Sequence, residues 1–151
     1  MGKLDGVTGA WIWVTQGTDP GAGSGYGITV DNAGSVFVTG QFEGTVLAFP
    51  GHPPVPGSGN LDVFVAQLNA ATGACVSAVA GGGAAGDIGR SIAFLPAVPG
   101  TPPGGMVYVT GEYASNPATF GGTVLGNASV PGITDLFVSN LAVTGAGLTW
   151  L

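Results

Sequence analysis

Positive charge is almost missing from this chain: Lys3 and Arg90 are the only lysine and arginine among 151 residues, against eight Asp and Glu, for a net charge of −6. Nucleic-acid binding relies on clustered cations that displace counterions from phosphate, so the composition argues against that partner class. Cysteine is scarce too. Cys75 stands alone, so no intramolecular disulfide can form and stability has to come from packing. No uninterrupted apolar run reaches the roughly 20 residues of a membrane-spanning helix, and no charged-then-apolar leader follows Met1. We therefore expect no membrane span, with any export signal removed or lying upstream. Helical periodicity is also lacking: nowhere do apolar residues recur at i, i+3, i+4 and i+7, so almost no helix is expected.

What fills the chain instead is glycine, with 30 residues, proline, with 11, and short runs of Val, Ile, Phe and Tyr. Glycine and proline at this level suggest low complexity when they stand alone. The interleaved apolar runs argue against that, because they bury surface that offsets chain entropy. Few charges and a positive mean hydropathy of +0.48 leave an outside of Gly, Ser, Thr, Asn and bare apolar side chain. Such a surface favours association with copies of itself.

The apolar runs repeat. VFVTGQF at 36–42 returns as VYVTGEY at 107–113, and LDVFVAQL at 61–68 returns as TDLFVSNL at 134–141. A third landmark, LDGVTGA at 4–10, returns as LNAATGA at 68–74 and, one residue shorter, as LAVTGA at 141–146. The spacing drifts from 64 residues (Ile28 to Ile92) to 71 (Phe37 to Tyr108), which places the extra residues in the Pro/Gly stretch 95–105, where insertion costs little. Short alternating runs bounded by Gly, Pro, Asn and Asp predict four strands per unit. They fall near 25–31, 35–42, 61–68 and 74–80, then near 89–95, 106–113, 134–141 and 146–151. Residues 3–16 match the end of a third strand and a fourth strand. The expected organisation is an orphan outer strand in 1–17, a first unit in 18–81 and a second in 82–151. Repeated units of this size bury their faces by stacking on one another.

The stretches Asp31 to Phe42 and Asn60 to Asn69 resemble the bacterial seven-bladed-propeller-type repeat family, often abbreviated SBBP, whose pattern runs D-x-x-G-N-V-Y-V-T-G-x-F and then G-x-D-x-F-V-A-K-L-D. The resemblance covers nearly the whole chain and departs in the last strand of the middle copy, where the family has Trp and this chain has Cys75 and its neighbours. It implies an all-β fold of β-propeller-type blades: two four-stranded antiparallel sheets plus an extra N-terminal strand, open until assembled with further copies or blades. It also implies a bacterial source and an extracellular or cell-surface location, and it carries no agreed reaction.

Candidate chemistry is sparse. His52, the only histidine, sits in a Pro/Gly loop with no companion motif for a nucleophile–base pair or a metal, so a solvated loop residue is the plainer reading. Asp31 has a turn-capping role available, and Asp62 and Asp135 occupy matched positions at strand starts, where a carboxylate can accept free backbone N–H groups. Calcium in the Asp31-Asn32-Ala33-Gly34 loop is the one cofactor to weigh, but the D-x-D-x-D-G cadence is missing. The glycine run 81–86 lacks the Gly-Lys-Ser/Thr ending of a phosphate loop and reads as a connector between units. Asn127-Ala128-Ser129 matches a glycosylation sequon, with a turn as the plainer reading. Trp11, Trp13, Trp150, Tyr26, Tyr108 and Tyr113 offer either a sugar platform or unit cores, the core being the simpler account.

The expected function is a noncatalytic structural module in which the orphan strand around Trp11 joins copies head-to-tail by strand addition, with Trp11, Trp13 and Trp150 at the contacts. Further units of a longer array would satisfy the same strand. The alternative is an extracellular module that binds a surface glycan or a protein through loops 49–60 and 95–105. Hydrolase-like activity on the propeller is the weakest expectation, since it rests on fold analogy.

Overall fold

The alternating apolar runs form strands and nothing else: among the residues described by the computed structural model, 1–128 and 133–151, there is no helix. In chain order the strands are β1 (Gly2–Leu4), β2 (Trp11–Val14), β3 (Ser24–Val30), β4 (Ser35–Leu47), β5 (Val55–Asn69) and β6 (Cys75–Gly81), then β7 (Asp87–Leu95), β8 (Met106–Tyr113), β9 (Ala118–Phe120), β10 (Thr123–Leu125), β11 (Asp135–Thr144) and β12 (Gly147–Trp150). Strands β3-β4-β5-β6 make one four-stranded antiparallel meander, here sheet 1. Strands β7-β8-β11-β12 make the second, sheet 2. Two hairpins, β1-β2 and β9-β10, complete the fold, and neither four-stranded sheet closes on itself.

The repeated sequence has a direct physical content. Thr39 Oγ1 donates to Phe64 O at 2.8 Å, and its counterpart Thr110 Oγ1 donates to Phe137 O at 2.9 Å. The glycine that follows is required by a close approach: a Cβ on Gly40 would overlap the carbonyl oxygen of Ser24, and one on Gly111 that of Ile88. Both contacts lie at a bulge in the neighbouring first strand, between Gly25 and Gly27 in β3 and between Gly89 and Ser91 in β7. The Val-Thr-Gly signature thus encodes a bulged strand pair in each sheet. The closing turns repeat as well. Asn69 Oδ1 accepts from Ala71 N and Thr72 N at 2.9 and 3.1 Å, and Asp5 Oδ1 accepts from Val7 N and Thr8 N at 3.0 and 2.7 Å.

Strand alternation gives each sheet two faces. The inner face of sheet 1 carries Phe37, Thr39, Val63 and Val65, all fully buried against sheet 2. Sheet 2 answers with Ile92, Phe94, Val107, Val109 and Leu141. Phe37 and Phe94 stack at 5.6 Å with rings 6° from parallel. Burying a side chain of this size contributes about 1.5–3 kcal/mol, so this apolar layer is the main adhesive between sheets. At the outer edge, Leu148 N donates to Ser77 Oγ at 3.0 Å and Trp150 Nε1 to Ala80 O at 3.0 Å.

The strand end and outer strand read in residues 3–16 form a hairpin, because β1 pairs with β2. Two features differ from the sequence expectation. Loop 49–60 is half strand: β4 and β5 continue past the four-stranded region as a two-stranded ribbon in which Val46 faces Pro56 and Leu47 faces Val55. Pro56 is tolerated there because no third strand needs its missing N–H. Finally, β9-β10 was not anticipated; three-residue strands are too short to show a period. Phe120 at its turn is buried, 4.6 Å from the Phe137 ring and 5.3 Å from Trp150.

Candidate functional site

Sheet 2 also has an outer face, and its residues are the repeat counterparts of the inner face of sheet 1. Tyr108 corresponds to Phe37, Thr110 to Thr39, Leu136 to Val63 and Val138 to Val65. In sheet 1 those four side chains are buried, whereas Leu136 is 80 % exposed and Val138 69 %. A shallow groove lined by Ser91, Ala93, Tyr108, Thr110 and Val138 runs across this face.

The far side of sheet 1 presents the complementary half. Ile28 and Val30 are the counterparts of Ile92 and Phe94, and both are exposed. Next to them Val36, Val38, Phe64, Ala66 and Leu68 form a second core, against which Trp13 packs. The β1-β2 hairpin therefore lies on the outer half of this face and leaves the inner half open, where Met1, Gly2, Tyr26, Ile28 and Val38 line a groove. Among the described residues each of its two strands keeps one edge unpaired, a template for a further strand.

The three tryptophans singled out from sequence occupy different settings. Trp11 is 65 % exposed. Trp13 is half-buried, and its Nε1 donates to Ala70 O at 3.1 Å, beside Lys3 Nζ, which donates to the same oxygen at 2.9 Å. Trp150 is half-buried between the two sheets, edge-on to Phe120. Tyr113 is buried, with its OH donating to Gly126 O at 3.1 Å, while Tyr26 and Tyr108 stay partly exposed. These aromatics do not converge on one platform.

The bulge residues of the two sheets meet each other. Arg90, in β7, lies 4.9 Å above the ring of its counterpart Tyr26, in β3. It also pairs with Glu112 through Nε and Nη2; that hydrogen bond, first among its causes, raises the guanidinium pKa further above its ordinary value. Thr134 Oγ1 donates to Glu112 Oε2 at 3.4 Å. Such an exposed pair contributes about 1 kcal/mol or less.

The remaining candidates resolve into structural roles or stand apart. Asp31 Oδ1 accepts from Ala33 N and Ser35 N at 2.9 and 2.7 Å, capping the β3-β4 turn. His52 is on the ribbon loop, its Nδ1 2.7 Å from Pro53 O. Asn127 is buried with Nδ2 donating to Tyr113 O and Ile133 O; the rest of that sequon, Ser129, lies outside the described residues. Burial pushes the Cys75 thiol up to about 11, and its Sγ reaches Ser77 O at 3.7 Å. Among the described residues no three His, Cys, Asp or Glu side chains gather in a metal-binding group. Among the described residues no helix is long and apolar enough to cross a membrane.

Two buried carboxylates were not singled out as a pair from sequence. Asp62 and Asp87 are 1 % and 0 % exposed, one at the start of the repeated LDVFVAQL run and the other at the head of β7. The Asp87 role has a counterpart in the first unit, but from a different chain position: Asp87 Oδ1 accepts from Ala114 N at 3.2 Å, and Asp19 Oδ2 accepts from the equivalent Glu43 N at 2.8 Å. That shift hid the pattern from a residue-by-residue alignment of the copies.

No protein-family model matches this chain, and no curated protein matches it.

Proposed function

We propose that this chain is a noncatalytic structural module of β-propeller-type units that assembles head-to-tail with copies of itself, into a ring or a filament. One observation carries the reading: each exposed apolar face is the repeat counterpart of one side of the buried contact between sheets 1 and 2. The Leu136/Val138 face of one copy meets the Tyr26/Ile28/Val30 face of the next, and the free edge of β1 accepts a strand from the incoming copy. A heterologous contact of this kind closes into a ring or runs on as a fibre according to its rotation. With two sheets per chain, three copies supply six blades and four supply eight. Trp11 lies on the exposed strand next to that edge and is the tryptophan best placed for the contact.

The resemblance of the repeated runs to SBBP repeats supports blades as the unit, and with it a bacterial, extracellular or cell-surface setting. Further units on the same polypeptide would cover the same faces. The reading assigns no reaction and no cofactor. Light scattering at micromolar concentration tests it: a particle of several chains is expected, and a folded monomer would overturn it.

A second reading, a module that binds a surface glycan or a protein, draws on the groove of about 470 Å³ between the ribbon loop, β6 of sheet 1 and the β9-β10 turn. Its walls include His52, Pro54, Pro56, Thr119 and Trp150, and its volume is that of a small-ligand site. Glycan-array binding that disappears when 51–57 is replaced by a Gly/Ser loop would favour it.

A further inference from the structure

The connector between the two sheets brings Asp62 and Asp87 to one buried spot. Gly86 bridges Leu61 in parallel fashion, which folds the glycine-rich connector 82–86 back along β5. A Cβ on Gly82 would strike both Asp62 Oδ1 and Asp87 Oδ2, so the two oxygens look into the same small space beside the Gly82 Cα. Only glycine leaves room there.

The hydrogen bonds divide unequally. Asp87 receives four: Ala114 N and Ser115 N reach Oδ1, each at 3.2 Å, while Gly83 N at 2.8 Å and Ser115 Oγ at 2.6 Å reach Oδ2. That is the acceptor-only pattern of an ionised carboxylate. Asp62 Oδ2 accepts from Ser58 N at 2.6 Å and Gly59 N at 3.2 Å. Its Oδ1 is buried and no donor reaches it. A buried carboxylate oxygen without a donor, facing a second carboxylate, is costly in the ionised form and inexpensive once protonated.

We propose that the Asp62–Asp87 pair holds a single proton, carried on Asp62 Oδ1 and turned toward Asp87 Oδ2, and that this proton latches sheet 1 to sheet 2. Loss of the proton to solvent leaves two negative charges in one dry space, and the connector and the β5–β7 contact loosen. Burial, first, and the Asp87 charge, last and smaller, raise the Asp62 pKa, against the lowering effect of the Ser58 and Gly59 N–H groups.

Other charged groups near this end are engaged elsewhere. Glu43 of β4 turns Oε2 to Ala22 N, Asp19 accepts from Glu43 N, Glu112 of β8 pairs with Arg90, and the Tyr113 hydroxyl points to Gly126 O. Because the folded-state pKa of Asp62 is raised, its contribution is fully present below the ordinary carboxylate range and is lost as pH rises through the raised value. The latch lies within one chain, so it stands or falls apart from the assembly reading.

The test is urea unfolding from pH 4 to pH 8 for the full chain and for Asp62→Asn, whose amide N–H reproduces the proposed donor at every pH. In the wild type the unfolding equilibrium constant should rise about tenfold per pH unit between the unfolded and folded midpoints of Asp62. In Asp62→Asn that rise should vanish. An unchanged pH profile in the variant would overturn the latch. Carbon-13 NMR of the wild-type Asp62 carboxyl gives an answer even if the variant fails to fold: titration above the ordinary Asp range is expected, and titration at or below it would overturn the proposal.

Discussion

The inner face of sheet 1 and the outer face of sheet 2 hold the same repeat positions in opposite surroundings. Phe37, Val63 and Val65 are fully buried; Tyr108, Leu136 and Val138 are 38, 80 and 69 % exposed. The side chains at the exposed positions have stayed apolar or aromatic even though this chain alone offers them no cover. Exposure here therefore follows from which neighbour is present, and the difference between the faces is one of coverage. An isolated exposed Leu needs no explanation, but a face that copies a buried one does.

The comparison breaks hardest at its covered end. Phe37→Ala removes a fully buried ring stacked on Phe94 and should cost about 3–5 kcal/mol in urea unfolding. Tyr108→Ala, its counterpart on the open face, should cost within about 0.5 kcal/mol for the isolated chain. Equal losses would mean that the outer face is covered by something already bound. The threonines give the next largest contrast. Thr39→Val leaves the Phe64 carbonyl without its buried donor and should cost about 1–3 kcal/mol. Thr110, exposed on sheet 2, should lose less when changed to Val, since water can take over at Phe137 O.

The meanders and their order were legible from the repeats because strand period and turn residues are local: Asp31 caps its own turn, and Thr39 and Thr110 recur with their glycines. What escaped was set by neighbours distant in sequence. The 55–60 segment reads as loop because Pro56 and its two glycines argue against a strand, and only the absence of a third strand makes Pro56 acceptable. Trp150 was expected at an assembly contact, yet its ring lies against Phe120 of a hairpin too short to show a pattern. Asp87 was one acid among eight until the fold set it beside Asp62. Of the assembly tryptophans, Trp11 is the exposed one, on the outer strand β2, whose partner is β1.

A smaller effect on stability carries the assembly question. The double variant Leu136→Asp, Val138→Asp changes two exposed positions, so unfolding of the isolated chain should shift by about 0.5 kcal/mol or less per site. The particle mass should nevertheless fall to that of one chain, because charge placed on an apolar contact face is desolvated on docking. Retention of the larger particle would move the contact away from this face. Ile28→Asp on the opposite face should give the same dissociation, and mixing the two variants should not restore assembly beyond a pair, since a head-to-tail chain needs both faces on every copy.

The smallest expected effect concerns the hairpin that sits where the open face begins. Asp5 Oδ1 accepts from Val7 N, Thr8 N and Thr8 Oγ1, and the Thr8 backbone bond leads the causes that lower its pKa. The sign is opposite to that of Asp62: this support is present above the ordinary Asp range and is lost as pH falls through the lowered value. At pH 7, Asp5→Ala should speed amide exchange at Val7 and Thr8 and leave the exchange of Asn69-capped Ala71 and Thr72 unchanged. The two turns share their geometry, but the Asn69 turn lies between two paired strands of a four-stranded sheet, whereas the Asp5 turn closes a hairpin held by Trp13 and Lys3 at Ala70 O. If exchange at both turns rose together, the hairpin and sheet 1 would form one cooperative unit, and the outer half of that face would no longer be free to yield to an incoming copy.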